Sequence, residues 1–396
     1  MPATFEMIQC LGRGGFGEVY LAHHSSGGLT KRVAVKVLKT RRKKGSQALE
    51  RMRDEARMLA VLDHPAIISV HELTRIAGRV ALVAEFVDGV DLSRCCHPER
   101  LLPPRVVVEA MAEVASALHC AWVTVSPDTG QPLRLVHRDV KPENIRLSKH
   151  GEVKLLDFGI ARTSQLGREA MTHTGQMPFT PGYAPPEMFG DQAPIGDFTD
   201  IYALGATCYR LLVGERFFEG VKLKKQVNLA ADQAEYEAYL RERLEKVRGN
   251  AMRQQLWGCL AFQSSDRPSA EELAKKLTTI ADAMEGPTCQ RWSRSIPFPP
   301  PSSVEGGSLT GKVIEEDDGQ TVRIRRLETR ENQIKSKAAA TVLLQLPSGV
   351  DRAAPPPRSR TWMWVGLVFV LLLVVGPLLV AFGATLVGAG VWFMGG

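Results

Sequence analysis

The sequence predicts an α+β chain: a smaller strand-rich N-terminal part with one helix, a larger helical part, a polar linker and one apolar C-terminal helix. Three patterns carry this reading. Val33, Val35 and Val37 alternate as residues on one face of a strand do. Val107, Met111, Val114 and Leu118 recur over 105–121 at the spacing of a helix stripe. From Trp362 to Phe393 no residue is charged.

Taken in order, residues 5 to about 95 read as strands around one helix. Gly and Ser cluster at 25–28 as a turn, and Leu49, Met52, Ala56, Leu59 and Leu62 predict a helix over 46–62. Residues 104 to about 285 read as helical, with further helices at 200–213, 232–248, 251–261 and 269–284. In 286–361, Pro297, Pro299, Pro300, Pro301, Pro355, Pro356 and Pro357 bracket an acidic patch, Glu315–Asp318, and a basic one, Arg323–Arg326. This composition predicts a disordered linker, with short strands around 311–327 as the lesser alternative.

The apolar run is long enough to cross a bilayer, for which about 20 residues suffice. The expected span is 362–384, with the run continuing to 394. Trp362, Trp364 and Trp392 stand near its ends, and Arg352, Arg358 and Arg360 precede it. By the positive-inside bias the part before the span is cytoplasmic. The opening residues Met1 to Glu6 lack the basic and apolar regions of a signal peptide. A single-pass membrane location near the C-terminus is therefore expected.

The chain carries 50 Lys and Arg against 43 Asp and Glu, a net charge of +7, without a dominant basic stripe. No nucleic-acid partner is expected. Seven cysteines lack CxxC spacing, so neither a zinc site nor a disulfide framework is predicted.

The motifs carry the chemistry. Gly12-Arg13-Gly14-Gly15-Phe16-Gly17-Glu18-Val19 fits G-x-G-x-x-G-x-V. A dinucleotide loop runs from strand into helix. Here Glu18 to Ala22 continues as strand, so the glycines close a hairpin over phosphates. Ala34-Val35-Lys36 places a lysine on the next strand, and Glu55 falls on the helix after it. His137-Arg138-Asp139-Val140-Lys141-Pro142-Glu143-Asn144 fits H-R-D-x-x-x-x-N, and Asp157-Phe158-Gly159 follows.

With these motifs in this order, the chain resembles the eukaryotic-type (Hanks-type) serine/threonine protein kinases, of the membrane-anchored bacterial kind, over about residues 5–280. The resemblance implies a bilobal kinase fold: a domain over 5–285, with an N-lobe at about 5–88 and a C-lobe at 89–285. It implies ATP and Mg²⁺, with Mn²⁺ as an alternative ion, and protein substrates bearing Ser or Thr. Nucleotide contacts are implied for Leu11, Gly12, Gly14, Gly15, Phe16, Gly17, Val19, Ala34 and Lys36, and for the hinge residues Glu85 and Val87. Ala84 takes the gatekeeper position. Glu55 orients Lys36, Asp139 receives the proton of the attacking hydroxyl, Lys141 neutralises the γ-phosphate, and Asn144 and Asp157 hold the metal. Lysine at 141 is similar to serine/threonine rather than tyrosine kinases.

Three departures from the family pattern stand out. Residues 124–135 lengthen the approach to the catalytic loop as a surface loop. Arg146 replaces the apolar floor beneath adenine, its stem expected to cover the ring while its head reaches water. Pro185 replaces the alanine of Ala-Pro-Glu.

By the same resemblance Asp157–Glu187 is an activation segment with hydroxyls at Thr163, Ser164, Thr172, Thr174 and Thr180. Glu187 is expected to pair with Arg267, and Asp200 to brace the catalytic loop. Arg138 beside Asp139 calls for an anion, which autophosphorylation of Thr172 or Thr174 supplies. Thr180 is expected to position substrate. A homodimer phosphorylating itself in trans stays open. The alternative function is a pseudokinase-like membrane scaffold or adaptor, against which Lys36, Glu55, Asp139, Asn144 and Asp157 are all present.

Overall fold

In the computed structural model, which describes residues 3–14, 17–38, 56–158, 180–189, 195–301, 303–315 and 323–326, the glycine-rich motif joins two antiparallel strands. These are β1 (Thr4–Arg13) and β2 (Gly17–Ser26). A second tight turn leads to β3 (Leu29–Leu38), with Gly27 and Gly28 at φ +57° and +81°. Such left-handed backbone suits glycine, which has no Cβ to clash. Val33, Val35 and Val37 turn inward and are fully buried, whereas Ala34 and Lys36 on the other face are half-buried. The predicted alternation thus separates a core face from a cleft face. The described end of the predicted helix, α1 (56–61), is helical, and Ala56 and Leu59 are buried. Two further strands, β4 (Val70–Ile76) and β5 (Arg79–Glu85), extend the sheet from β3.

The helical part is built on α2 (Pro104–Val123), where Val107, Met111, Val114 and Leu118 are buried as the stripe predicts. It is the one helix among the described residues long and apolar enough to cross a membrane by length and composition. Its apolar face instead lies in the main hydrophobic core. A small sheet of β6 (Gly89–Asp91), β7 (Ile145–Ser148) and β8 (Val153–Leu155) brackets the catalytic motif. Helix α3 (Asp197–Val213) ends at Gly214 in left-handed geometry, φ +83°. It is followed by α4 (Leu223–Ala231), α5 (Gln233–Glu245), α6 (Asn250–Cys259) and α7 (Ala270–Ala283). Ser269 and Glu272 form a capping box on α7. Helix α4 was not among the separate helices expected from the sequence. The loop over 124–135 closes on itself, Ser126 N–H donating to Gln131 O at 2.9 Å and Leu133 N–H to Thr124 O at 2.8 Å. All seven cysteines are free.

The stretch 286–361, expected as a disordered linker, contains a helix and two short strands where it is described, so that expectation is corrected there, and the lesser alternative of strands around 311–327 is the one the structure contains. Helix α8 (Cys289–Ser295) is capped by Thr288, and Cys289 N–H donates to Glu109 Oε2 of α2 at 2.7 Å. The chain then returns to the N-lobe. Strand β9 (Lys312–Glu315) pairs with β1, and β10 (Arg323–Arg326) pairs with β9. The N-lobe sheet therefore has seven strands in the order β10-β9-β1-β2-β3-β5-β4. The physical reason is burial. Leu309 and Ile314 join Phe5, Met7, Tyr20, Val35 and Val83 in one apolar cluster, and both are almost fully buried. Proline and charge counts dominate a composition reading and hide two well-placed apolar residues. The span at 362–384 and the linker from 327 onward lie outside the described residues.

Candidate active site

The catalytic motif sits where α2 hands over to β7, and its backbone is bent into place. Arg138 and Asp157 have φ of +67° and +51°. Non-glycine residues hold such values only where surroundings over-determine them, at a cost of roughly 1–3 kcal/mol each. The brace at Arg138 is Asp200 of α3, which is 2% exposed. Its carboxylate accepts His137 N–H at 2.6 Å and Arg138 N–H at 2.7 Å. Burial pushes that carboxyl up to about 7, against the pull of the two N–H donors. His137 Nε2 bonds Leu156 O at 2.9 Å, and its ring packs against Phe158 at 4.6 Å between centroids. The expected bracing by Asp200 is what the geometry contains.

Three predicted residues meet around the carboxylate of a fourth, Asp139. Lys141 Nζ lies 2.8 Å from Asp139 Oδ2, and Thr180 Oγ1 donates to Asp139 Oδ1 at 2.7 Å. Lys141 Nζ also donates to Thr180 Oγ1 at 3.2 Å. Asn144 Nδ2 donates to Asp139 O at 2.8 Å and to Asp139 Oδ2 at 3.0 Å. The amide nitrogen being so engaged, its Oδ1 is the atom left for a cation.

Across the cleft, Lys36 Nζ donates to Asp157 Oδ1 at 2.8 Å, joining residues 121 apart in sequence. The Lys36 ammonium holds the Asp157 carboxyl below its ordinary value. An aspartate kept ionised and an amide oxygen are hard donors, and this pair fits Mg²⁺. Glu55, expected beside Lys36, lies outside the described residues, as do Gly15, Phe16, Thr172 and Thr174. Leu11, Val19 and Ala34 lie half-buried on the cleft-facing side of β1–β3, with Lys36.

At the hinge, Glu85 N–H donates to Ser69 O at 2.9 Å, and its side chain pairs with Lys154 at 2.7 Å. The expectation for Arg146 needs correction. Its head does not reach for water. Nε donates to Val87 O at 2.8 Å, Nη2 to Gly89 O at 2.7 Å, and Nη1 pairs with Asp91 at 2.5 Å. Register explains this, because Asp91 of β6 stands opposite Arg146 of β7. The Val87 carbonyl and the Glu85 N–H are thus both engaged within the protein.

Beyond the catalytic loop, Arg267 grips Glu187 with both terminal nitrogens, at 2.7 and 2.8 Å, and its side chain is fully buried. The proline at 185 leaves that pair intact. Arg138 behaves differently. Its Nε and Nη1 are buried with no hydrogen-bond partner among the described residues. Burial pushes its pKa down, with Asp200 opposing.

The sequence reading missed one polar cluster altogether: Glu18, Tyr20, Arg79 and Ser308. Its only signal is Gly306-Gly307-Ser308-Leu309 ahead of the alternating Lys312-Val313-Ile314-Glu315.

The family model described as protein kinase domain matches residues 5–277. The chain is 37% identical over 221 residues to the serine/threonine-protein kinase PknB of Mycobacterium tuberculosis, covering 54% of this chain and 33% of that protein. It is 34% identical over 226 residues to the serine/threonine-protein kinase pkn2 of Myxococcus xanthus, covering 56% of this chain and 25% of that protein. The chain thus spans a third or less of the length of these curated relatives. The solved kinase domain of Mycobacterium tuberculosis PknI aligns at 26% identity over 69% of this chain and 95% of that one, with a TM-score of 0.47.

Proposed function

The chain belongs to the protein kinase family, and from that premise we propose that it transfers the γ-phosphate of ATP to serine and threonine hydroxyls of proteins while anchored to a membrane by residues 362–384. The observation that carries the reading is the hydroxyl of Thr180, held at 2.7 Å from the Asp139 carboxylate with the Lys141 ammonium against both. A substrate hydroxyl brought to the same carboxylate loses its proton to Asp139 as its oxygen bonds to phosphorus. The bond between the γ-phosphorus and its bridging oxygen breaks, and ADP leaves. Lys141 offsets the negative charge beside Asp139, and Asn144 holds that residue through one hydrogen bond to its backbone carbonyl and one to its carboxylate. Asn144 and Asp157 are the residues that would hold Mg²⁺, which supplies charge neutralisation on the phosphates when bound. Lysine at 141 supports Ser/Thr rather than Tyr as acceptor.

Activity is switched through Arg138. A guanidinium with two buried nitrogens that have no partner among the described residues lowers its free energy when a phosphate arrives. Autophosphorylation at Thr172 or Thr174 supplies one. Mass-spectrometric mapping of active protein should find one of the two modified; an active chain with neither modified contradicts this switch.

The transferase reading is tested with γ-labelled ATP, Mg²⁺ and casein. The wild type should label serine and threonine, and Asp139→Asn should not. A folded wild-type chain that labels nothing favours the scaffold alternative and removes the reading. Membrane anchoring is tested by fractionation: removal of 362–396 should release the protein from membranes with its transferase activity retained.

A further inference from the structure

The last glycine of the hairpin is followed by a carboxylate that water barely reaches. Glu18 is 3% exposed and stands opposite Arg13 at the base of the turn. A carboxylate withdrawn from water is strongly destabilising unless donors and countercharges replace the water. Tyr20 Oη donates to Glu18 Oε2 at 2.7 Å, and Ser308 Oγ donates to the same oxygen at 2.7 Å. Arg13 Nε lies 3.3 Å from Oε1, and Arg79 Nη1 lies 3.4 Å from Oε2. Burial opposes the charge of Glu18, but the bonds from Ser308, Tyr20 and Arg79 outweigh it and hold the carboxyl below its ordinary value.

Ser308 is the part of this cluster that comes from far away, 290 residues along the chain from Glu18. Its Oγ also accepts from Arg79 Nη2 at 2.9 Å, so one hydroxyl links the cation of β5 to the carboxylate of β2. The segment around it is held closely. Val304 N–H donates to Cys10 O at 2.8 Å, Gly311 N–H to Met7 O at 2.8 Å, and Leu309 N–H to Tyr20 Oη at 3.2 Å. A Cβ on Gly307 would come within 2.7 Å of the Cys10 side chain and 2.9 Å of the Tyr20 ring. Side chains this close force a shift on any residue larger than glycine. Ser308 is therefore presented to Glu18 by a fixed backbone, not by a loop that happens to lie near.

We propose that Ser308 is a positioning residue for phosphoryl transfer: by bridging Arg79 to Glu18 it fixes the base of the glycine-rich hairpin, where Arg13 pairs with Glu18, for binding of the nucleotide's phosphates. The proposal rests on the ATP-dependent reading above. Ser308 touches neither nucleotide nor acceptor and acts through Glu18. Without its hydroxyl the carboxylate loses a donor at 2.7 Å and turns toward water, and the base of the hairpin loosens with it. The step affected is capture of the nucleotide, not removal of the proton at Asp139, because the bonds of the cluster run among β1, β2, β5 and the 304–311 segment. Binding of ATP and turnover are thereby separated.

Steady-state kinetics on the full chain, with casein as acceptor, test this. Loss of a hydrogen bond to a charged group predicts that Ser308→Ala raises KM for ATP about three- to tenfold with kcat nearly unchanged. Ser308→Thr, which keeps the hydroxyl, should return KM to near the wild-type value. Melting temperatures run alongside distinguish a loosened hairpin from an unfolded protein, and Glu18→Gln should raise KM as Ser308→Ala does. A Ser308→Ala variant with wild-type KM for ATP overturns the proposal. So does an equal rise in Ser308→Ala and Ser308→Thr, which would place the effect in packing. A wild-type chain that transfers no phosphate brings down the ATP-dependent reading itself, whereas an active wild type with an unaltered Ser308→Ala variant brings down the positioning role alone.

Discussion

The catalytic loop and the phosphate hairpin are both short turns that must hold a costly geometry, and they are braced from different places. At the catalytic loop the brace is Asp200, whose carboxylate takes two consecutive backbone N–H groups and comes from a helix of the same lobe. At the hairpin the polar brace at Glu18 includes Ser308, from a segment that leaves the C-lobe after α8 and crosses back to the N-lobe sheet. The first brace belongs to the chemistry, since it orients the peptide next to Asp139. The second is a hydroxyl carried in from afar, and burial of Leu309 and Ile314 holds its segment in place. A lobe whose core is completed from the far end of the chain can be loosened without touching the other lobe. That asymmetry is open to experiment.

The largest effect is expected in the C-lobe. Arg267→Ala removes a fully buried guanidinium that also bonds the carbonyls of Ala261, Phe198 and Phe262. Leaving Glu187 without its partner should cost about 3–5 kcal/mol, read as a fall in denaturant midpoint together with loss of transfer. Ile314→Ala is the N-lobe counterpart. A truncated buried isoleucine should cost about 2–5 kcal/mol, with faster amide exchange in β1 and β2 and unchanged exchange in α2 and α3. Uniform loosening of both lobes would break the comparison. Gly307→Ala drives a methyl into Cys10 and Tyr20 and should cost about 1–3 kcal/mol, again with exchange raised in the N-lobe alone. The smallest effect on stability is expected at the hinge. Ala84→Phe should leave melting and ATP turnover near wild type while abolishing inhibition by bulky purine-derived compounds. Equal inhibition of both forms would move the gatekeeper elsewhere.

What could be read from the sequence follows the same division. Lys36, Asp139, Lys141, Asn144 and Asp157 could be picked out because each stands in a motif of fixed spacing, and the structure brings Lys36 to Asp157 and Lys141 and Asn144 to Asp139. The Glu187–Arg267 pair and the role of Asp200 were legible for the same reason. The valines of β3 and the stripe of α2 were legible because each alternates or repeats with a single period. Arg146 was legible as a departure but not in its outcome. Only strand register puts Asp91 and the carbonyls of Val87 and Gly89 within its reach. The folded part of 286–315 was largely hidden, since its burial depends on a partner strand about 300 residues earlier. No local pattern encodes such a pairing, and the prolines at 297 and 299–301 point the other way.

The central claim is that ATP lies beneath a hairpin held partly by the returning C-terminal segment. Amide hydrogen exchange of the full chain, with and without Mg²⁺ and a non-hydrolysable ATP analogue, measures this most directly. The nucleotide should slow exchange at the 12–19 hairpin, at Glu85–Val87 and at 304–311 together. Protection of the hairpin and hinge with 304–311 untouched, or no protection at all, would contradict it.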